Sequence, residues 1–321
     1  MDRESYLDYG RIIAVFLVVL GHLYNGHNVI PRQYIYAFHM PFFFLVSGML
    51  HKYNGGVQWK KYLKTLLMPF FLFNLVYVLC LSITHYTIGI FSNIEDYNLK
   101  DYLFLLFKKN SFIFNDVTWF LLALFYCKIM IDYGAKYPKV MFAVWLSLFF
   151  LLVLNPHLKV FCIPQALMAL PFYFIGYSQK KIIRVLTHNR YALFWGAISL
   201  FATILLTHWH GRVTINGVRF CYNDSPLFIA VPIFYLNGII GSIMILFFSS
   251  WFKPKKWVED IAGSLITILC VQRFFLVIFI SLLGINKELY ITVPVALIIV
   301  ILCYYTHIFI RNKCPLLIGK C

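Results

Sequence analysis

Charged side chains are scarce in this chain, and acidic ones are the scarcest. Asp, Glu, Lys and Arg make up 12% of the 321 residues, with 12 acidic side chains against 28 basic ones. An average soluble domain carries about 25% charged residues, so this composition excludes an ordinary soluble domain. Apolar residues instead fill 61% of the chain, and the mean hydropathy is +0.78. Both values indicate a polytopic membrane protein.

Cysteine motifs and linkers are also missing. The eight cysteines form no CxxC pair and no metal-ligand spacing, so we expect no metal site and no bound cofactor. The sequence has no internal repeat, no Gly/Ser-rich linker and no low-complexity tail. We therefore predict a single membrane domain over residues 1–321.

Long apolar runs dominate what is present. Ten of them have roughly the length that a helix needs to cross a bilayer, which predicts an all-α, polytopic integral membrane helix bundle. The predicted spans are 7–24, 36–51, 65–88, 118–133, 139–154, 163–178, 191–207, 229–250, 261–282 and 289–310.

The basic residues are distributed unevenly between the connecting segments. One set of alternate segments, which includes both ends of the chain, holds nineteen Lys and Arg, and the other set holds eight. The positive-inside rule then places both termini in the cytoplasm, as an even number of spans requires. The net charge of +16 is explained by the basic residues of these cytoplasmic segments, so no nucleic acid is expected as a partner. The expected partner is the lipid bilayer.

The first predicted span carries three ionisable residues, Asp8, Arg11 and His22. Arg11 and His22 are eleven positions apart, which on an α-helix is about three full turns and about 16 Å. They therefore share one face, and Asp8 is close enough in sequence to pair with Arg11. Because such groups are costly in hydrocarbon, this stripe should face the protein interior or a wet cavity.

The second span carries the segment Phe38-His39-Met40-Pro41, followed by Phe-Phe-Phe-Leu-Val-Ser-Gly. Pro41 is expected in the first turn of this helix, where proline breaks no hydrogen bond. Gly48 should let another helix approach closely.

Together these first fifty residues resemble membrane-bound acyltransferase family 3, in its fucose 4-O-acetylase and nodulation O-acetyltransferase branch. The resemblance implies a multi-pass protein of the bacterial cytoplasmic (inner) membrane with the same ten-span topology. It also implies acetyl-CoA as co-substrate, and a hydroxyl of a surface glycan or its lipid-linked precursor as acceptor.

The resemblance and the helix geometry give three residues catalytic roles. His22 is the candidate general base, because imidazole titrates near neutrality; a covalent acyl-histidine step is an open alternative. His39 is expected at the same end of the bundle, to orient His22, bind the acceptor or assist proton transfer. Arg11, at the cytoplasmic end of the first span, is expected to bind the nucleotide part of the donor.

Other residues are assigned to binding. Lys61 and Lys64 resemble the family's basic pair before the third span and would meet the CoA phosphates, although arginines are more usual there. Arg273 lies half-way along the ninth span, where a guanidinium needs a partner or a cavity. The acceptor-binding candidates are Arg273, Gln272, Trp119, His208 and His210.

Two other functions are compatible with the composition. A transporter or flippase of a lipid-linked sugar would also carry intramembrane Arg and His, but the matched pair of Gly/Pro-broken spans typical of inverted repeats is not found. A non-catalytic glycan- or lipid-binding relative is the third possibility. That protein would tolerate the loss of His22.

Overall fold

A computed structural model describes residues 4–24, 30–88, 115, 117–154, 161–209, 215, 227–283 and 289–319. Within these residues the chain is helical and forms no strand, which confirms the all-α prediction. The helices are α1 Ser5–Leu23, α2 Ile30–Met49, α3 Trp59–Tyr62, α4 Met68–Ile88, α5 Trp119–Lys136, α6 Pro138–Leu154, α7 Ile163–Ser178, α8 Lys180–Thr187, α9 Ala192–Trp209, α10 Leu227–Ser250, α11 Lys256–Gly263, α12 Leu265–Leu283 and α13 Leu289–Lys313.

A long helix covers each of the ten predicted apolar segments, but the number of membrane spans stays a prediction. By length and composition, four helical segments of the described part can cross a bilayer: Ser5–Leu23, Trp59–Cys80, Ile229–Ser250 and Leu289–Lys313. The number rises to six if two bent pairs, α8 with α9 (110°) and α11 with α12 (65°), each count as one span. These helices are those of a membrane protein.

The start of α2 differs from the prediction. The helix begins at Ile30, so Pro41 lies inside it rather than in its first turn. Pro31 takes the place expected of Pro41, since proline is tolerated in a first turn where the backbone N–H has no intrahelical partner. Pro41 lacks the N–H that would bond to the carbonyl of Ala37, and its ring instead faces Gly238 of α10.

Helices α1 and α2 pack antiparallel. A Cβ on Gly10 would meet the ring of Phe42, whereas a Cβ on Gly21 would meet Tyr36 and Ile35. The order of these contacts along α2 is the reverse of their order along α1. We call the end of the bundle where α1 begins, at Ser5, the basal end and the end where α1 finishes, at Leu23, the distal end.

Glycines bring α2 and α7 into direct backbone contact. A Cβ on Gly48 would overlap the carbonyl of Tyr173, and a Cβ on Gly176 would overlap the carbonyl of Leu45. Close approach at Gly48 is therefore confirmed. Without a hydrophobic drive between helices in lipid, such small-residue contacts let van der Waals packing hold the bundle together.

The basal end is built from short elements around the start of α1. The hydroxyl of Tyr9 donates to the carbonyl of Lys253, and its ring stacks on Phe252, just before α11. The Arg184 guanidinium on α8 pairs with Glu4. These contacts anchor the helix that carries Asp8, Arg11 and His22.

Candidate functional site

The predicted histidines meet at the distal end through a tyrosine that lies between them. The Tyr36 hydroxyl is 3.3 Å from Nδ1 of His22, and its ring meets that of His39 edge to face at 4.8 Å between centroids. The two imidazoles are close enough to interact electrostatically. The structure therefore brings His22 and His39 together, as expected.

The hydrogen bond of His39 determines its tautomer. Its Nδ1 lies 2.7 Å from the Ile35 carbonyl, one turn earlier on α2. A carbonyl oxygen only accepts, so Nδ1 carries the proton and Nε2 of the neutral ring holds a lone pair. The side chain is 3% exposed, and its orientation is fixed by the helix itself.

Tyr36 was not among the residues selected from the sequence. The guanidinium of Arg32 sits 5.0 Å from the centre of its ring, an arrangement that orients the aromatic ring by cation–π attraction. The signal was available: Arg32, Tyr36 and His39 are spaced four and three residues apart, so they share one face of a helix. That face looks toward His22.

Arg11 and Asp8 form the predicted ion pair on α1. Asp8 is buried, with 1% of its surface exposed. The Nε atom of Arg11 is buried as well and has no hydrogen-bond partner among the described residues. Because α1 is one continuous helix, Arg11 and His22 remain about 16 Å apart, with Arg11 toward the basal end.

The predicted donor lysines lie on the basal surface. Helix α3 continues through a π-helical segment, Leu63–Leu67, into α4. Lys61 and Lys64 are exposed, and the ammonium of Lys61 lies 3.4 Å from Oε1 of Gln58. Both lysines lie at the opposite end of α1 from His22, Tyr36 and His39.

The residues predicted to bind the acceptor are dispersed. Gln272 on α12 is fully buried and its Oε1 has no hydrogen-bond partner in the described part of the chain, while Arg273 next to it is half-buried. Trp119 is 5% exposed and packs 6.3 Å from the ring of Phe44. The side chain of His208, all of His210, most of the loop that follows and the segment 92–114 lie outside the described residues.

A second polar cluster, at the basal end, was not predicted. The Asp132 carboxylate of α5 lies 2.9 Å from Nε2 of His51 and accepts a 2.7 Å hydrogen bond from the Tyr62 hydroxyl. Nδ1 of His51 is 2.7 Å from the Tyr173 hydroxyl. We call these four side chains the Asp132 network. An acid inside the predicted span 118–133 was the one signal in the sequence, because intramembrane carboxylates need partners.

The protons of the network can be assigned. Burial lowers the pKa of His51, in the loop after α2, although the hydrogen bond to Asp132 opposes this, so the imidazole is neutral at pH 7. A carboxylate only accepts, so the Nε2–H of His51 donates to Asp132. Its Nδ1 then accepts from the hydroxyl of Tyr173. Every polar atom of the imidazole is satisfied without a protonated histidine.

No group of three or more His, Cys, Asp or Glu side chains is placed to hold a metal ion within the described ranges.

Comparison with known proteins identifies a family. The family model of an acyltransferase domain, that of acyltransferase family 3, matches residues 4–308. No curated protein and no solved structure matches the chain. The family match covers α1 to α12 and most of α13, and so includes His22, Tyr36 and His39 as well as the Asp132 network.

Proposed function

The chain belongs to acyltransferase family 3, and we propose that it transfers an acetyl group from cytoplasmic acetyl-CoA to a hydroxyl of a bacterial surface glycan or its lipid-linked precursor. Its membership and its apolar helices make it a membrane acyltransferase. The donor, the acceptor and the bacterial inner membrane belong to the proposal.

The observation that carries the proposal is the division of α1 into two functional ends. Arg11 lies toward the basal end, with a buried Nε that has no hydrogen-bond partner among the described residues, and His22 lies beside Tyr36 at the distal end. A separation of about 16 Å suits a donor whose anionic nucleotide stays basal while its extended pantetheine arm carries the thioester toward His22.

In the proposed reaction His22 acts as general base. In this arrangement its Nδ1–H donates to the Tyr36 oxygen, and its Nε2 lone pair receives the proton of the acceptor hydroxyl. As that proton moves to Nε2, the hydroxyl oxygen bonds to the carbonyl carbon of the thioester. The carbon–sulfur bond then breaks, and the departing thiolate takes the proton back from His22.

His39 supports this reaction through its fixed tautomer. With Nδ1–H held by the Ile35 carbonyl, its Nε2 lone pair can accept a hydrogen bond from a second acceptor hydroxyl. That role orients the sugar rather than removing the transferred proton. Arg273 and Gln272, whose buried Oε1 has no partner in the described part of the chain, are the proposed contacts to the rest of the acceptor.

The proposed orientation rests on the basic residues at the basal end. Lys61, Lys64, Arg184 and Lys253 all belong to the segments assigned to the cytoplasm by the positive-inside rule. Acetyl-CoA is made in the cytoplasm, so the same end would receive the donor.

Mass spectrometry of surface polysaccharide and lipid-linked glycans tests this proposal. The source strain, a deletion of this chain and a deletion complemented with His22→Ala would be compared, with membrane abundance measured by immunoblot. We expect an acetyl mass increment only with the unmutated chain. The same glycans with and without the chain would contradict acetyl transfer, and loss of the whole glycan from the surface would favour the transporter.

A further inference from the structure

The Asp132 network links four elements at the basal end, and one of them, α3, carries Lys61 and leads into the segment that carries Lys64. Its partners come from the loop after α2, from α3, from α5 and from α7. The side chains of His51 and Asp132 are 1% and 0% exposed. A buried network of this kind is stable only when each member is satisfied, so its geometry is restricted to one arrangement.

Tyr62 is the connection between this network and the basic surface. It is the last residue of α3 and immediately precedes the π-helical segment Leu63–Leu67. π-helical turns are rare and occur frequently at functional sites. If the turn relaxed to α-helix, α3 with Lys61 would rotate relative to α4 by about one residue's turn, roughly 100°, and Lys64, inside the segment, would change its direction relative to Lys61.

The same segment is held from its other side by the end of the chain. After a short 3₁₀ turn, Pro315–Ile318, Gly319 adopts a φ of +69°. A Cβ there would collide with the carbonyl of Lys64. The π-helical segment is therefore held between the Tyr62 hydrogen bond and the C-terminal turn.

Basic groups surround the buried carboxylate. The ammonium of Lys128 lies 5.4 Å from the centre of the Tyr62 ring, and both Lys128 and Lys61 act electrostatically on His51. Lys64 and Lys60 are exposed beside them. Lysine is a flexible point charge, so the placement of its backbone decides whether several lysines can meet one polyanion.

We propose that the Asp132 network is a positioning device that holds the π-helical segment, so that Lys61 and Lys64 meet the phosphates of the acyl-CoA. This inference rests on the proposed function for its ligand. It assigns to His51, Tyr62, Asp132 and Tyr173 no contact with the reacting atoms. Their contribution is to the affinity for the donor.

Coenzyme A binding to the purified full chain in nanodiscs tests this directly, by isothermal titration and without turnover. Tyr62→Phe removes the bond to Asp132 and keeps the ring that Lys128 covers. We expect coenzyme A to bind about tenfold more weakly, the low end for losing a hydrogen bond to a charged group. In transfer assays the KM for acetyl-CoA should rise similarly, with kcat within about twofold.

Tyr177→Phe is the matched control. The Tyr177 ring meets His51 edge to face at 5.4 Å, but its hydroxyl is not part of the network, so affinity should stay unchanged. A double-mutant cycle with Lys64→Gln supplies the decisive readout. If Tyr62 acts through Lys64, Tyr62→Phe should cost much less in the Lys64→Gln background.

Three results would overturn the inference. The first is an unchanged coenzyme A affinity in Tyr62→Phe. The second is a full tenfold loss on Tyr62→Phe both in the unmutated chain and in the Lys64→Gln background. Absence of binding by the unmutated chain would refute the proposed donor along with the network's role. If Tyr62→Phe does not accumulate in membranes, Tyr173→Phe replaces it. We expect this variant to bind coenzyme A about threefold more weakly, and unchanged binding would refute the positioning role of the network.

Discussion

Tyr36 offers the sharpest test of the distal site, because one atom can be removed while the ring stays in place. Tyr36→Phe deletes the hydroxyl that lies 3.3 Å from Nδ1 of His22. The ring would still pack against His39 and under Arg32. The mutation therefore leaves His22 in place but no longer fixes which of its nitrogens carries the proton.

The size of the effect follows from the length of the bond. A neutral hydrogen bond contributes about 0.5–1.5 kcal/mol net, and at 3.3 Å the bond to His22 is longer than the usual optimum. We therefore expect a loss of about 0.7 kcal/mol, or roughly threefold in kcat, at about 1.4 kcal/mol per factor of ten. The KM for acetyl-CoA should not change, because the proposed binding mode places the donor's nucleotide at the other end of α1.

The assay is acetyl transfer by membrane vesicles at saturating acetyl-CoA, normalised to protein abundance. Tyr34→Phe is the control, because Tyr34 is on α2 like Tyr36. Its hydroxyl lies 2.9 Å from that of Thr203, away from His22. Wild-type kcat in Tyr36→Phe would refute the orienting role of the hydroxyl. A loss as large as that of His22→Ala would also refute it, since it would make Tyr36 itself a proton carrier.

Two further predictions concern the packing and the basal ion pair. Gly48→Val forces a side chain against the backbone of Tyr173 and should lower stability by about 1–3 kcal/mol or more, measured by thermal unfolding in detergent. Gly56→Ala is the neutral control, because a Cβ on Gly56 would meet nothing within 4 Å. Equal melting temperatures of the two variants would contradict the close contact at Gly48. Arg11→Gln removes a charged partner of the buried Asp8 carboxylate and should cost up to about 3–5 kcal/mol of stability. The double variant Asp8→Asn with Arg11→Gln should recover stability but not the normal KM for acetyl-CoA. A stable double variant with a normal KM for acetyl-CoA would exclude Arg11 from donor binding.

The helices were predictable because each apolar segment is long and almost free of charge. The start of α2 is not predictable in this way, because the sequence offers both Pro31 and Pro41 as a first-turn proline. The predicted span 36–51 favours Pro41, whereas the structure has Pro31 in the first turn. Sequence reasoning could not weigh the contact between Pro41 and Gly238, which comes from a helix some two hundred residues away. That packing surrounds a proline which an isolated helix would tolerate poorly.

The distal site was partly predictable for a local reason. His22 and His39 lie on consecutive helices joined by a short connection, so antiparallel packing brings them together. The Asp132 network had no such local signal. His51 is separated by 81 positions from Asp132 and by 122 from Tyr173. The packing of α2 against α7 at Gly48 and Gly176 brings His51 beside Tyr173, and α5, which packs against α7, brings Asp132 to His51.

The central claim is tested most directly by transfer of radiolabelled acetyl groups. Inverted membrane vesicles from the source strain, with their basal, donor-binding side outward in the proposed topology, would receive [¹⁴C]acetyl-CoA, and the lipid-linked and polymeric glycans would then be counted. We predict incorporation with the unmutated chain and at least a hundredfold less with His22→Ala at equal abundance, since a general base contributes about 10²–10⁴. Equal incorporation in the two preparations would contradict catalysis by His22, and no incorporation in either, with the glycan present, would contradict the acetyltransferase itself.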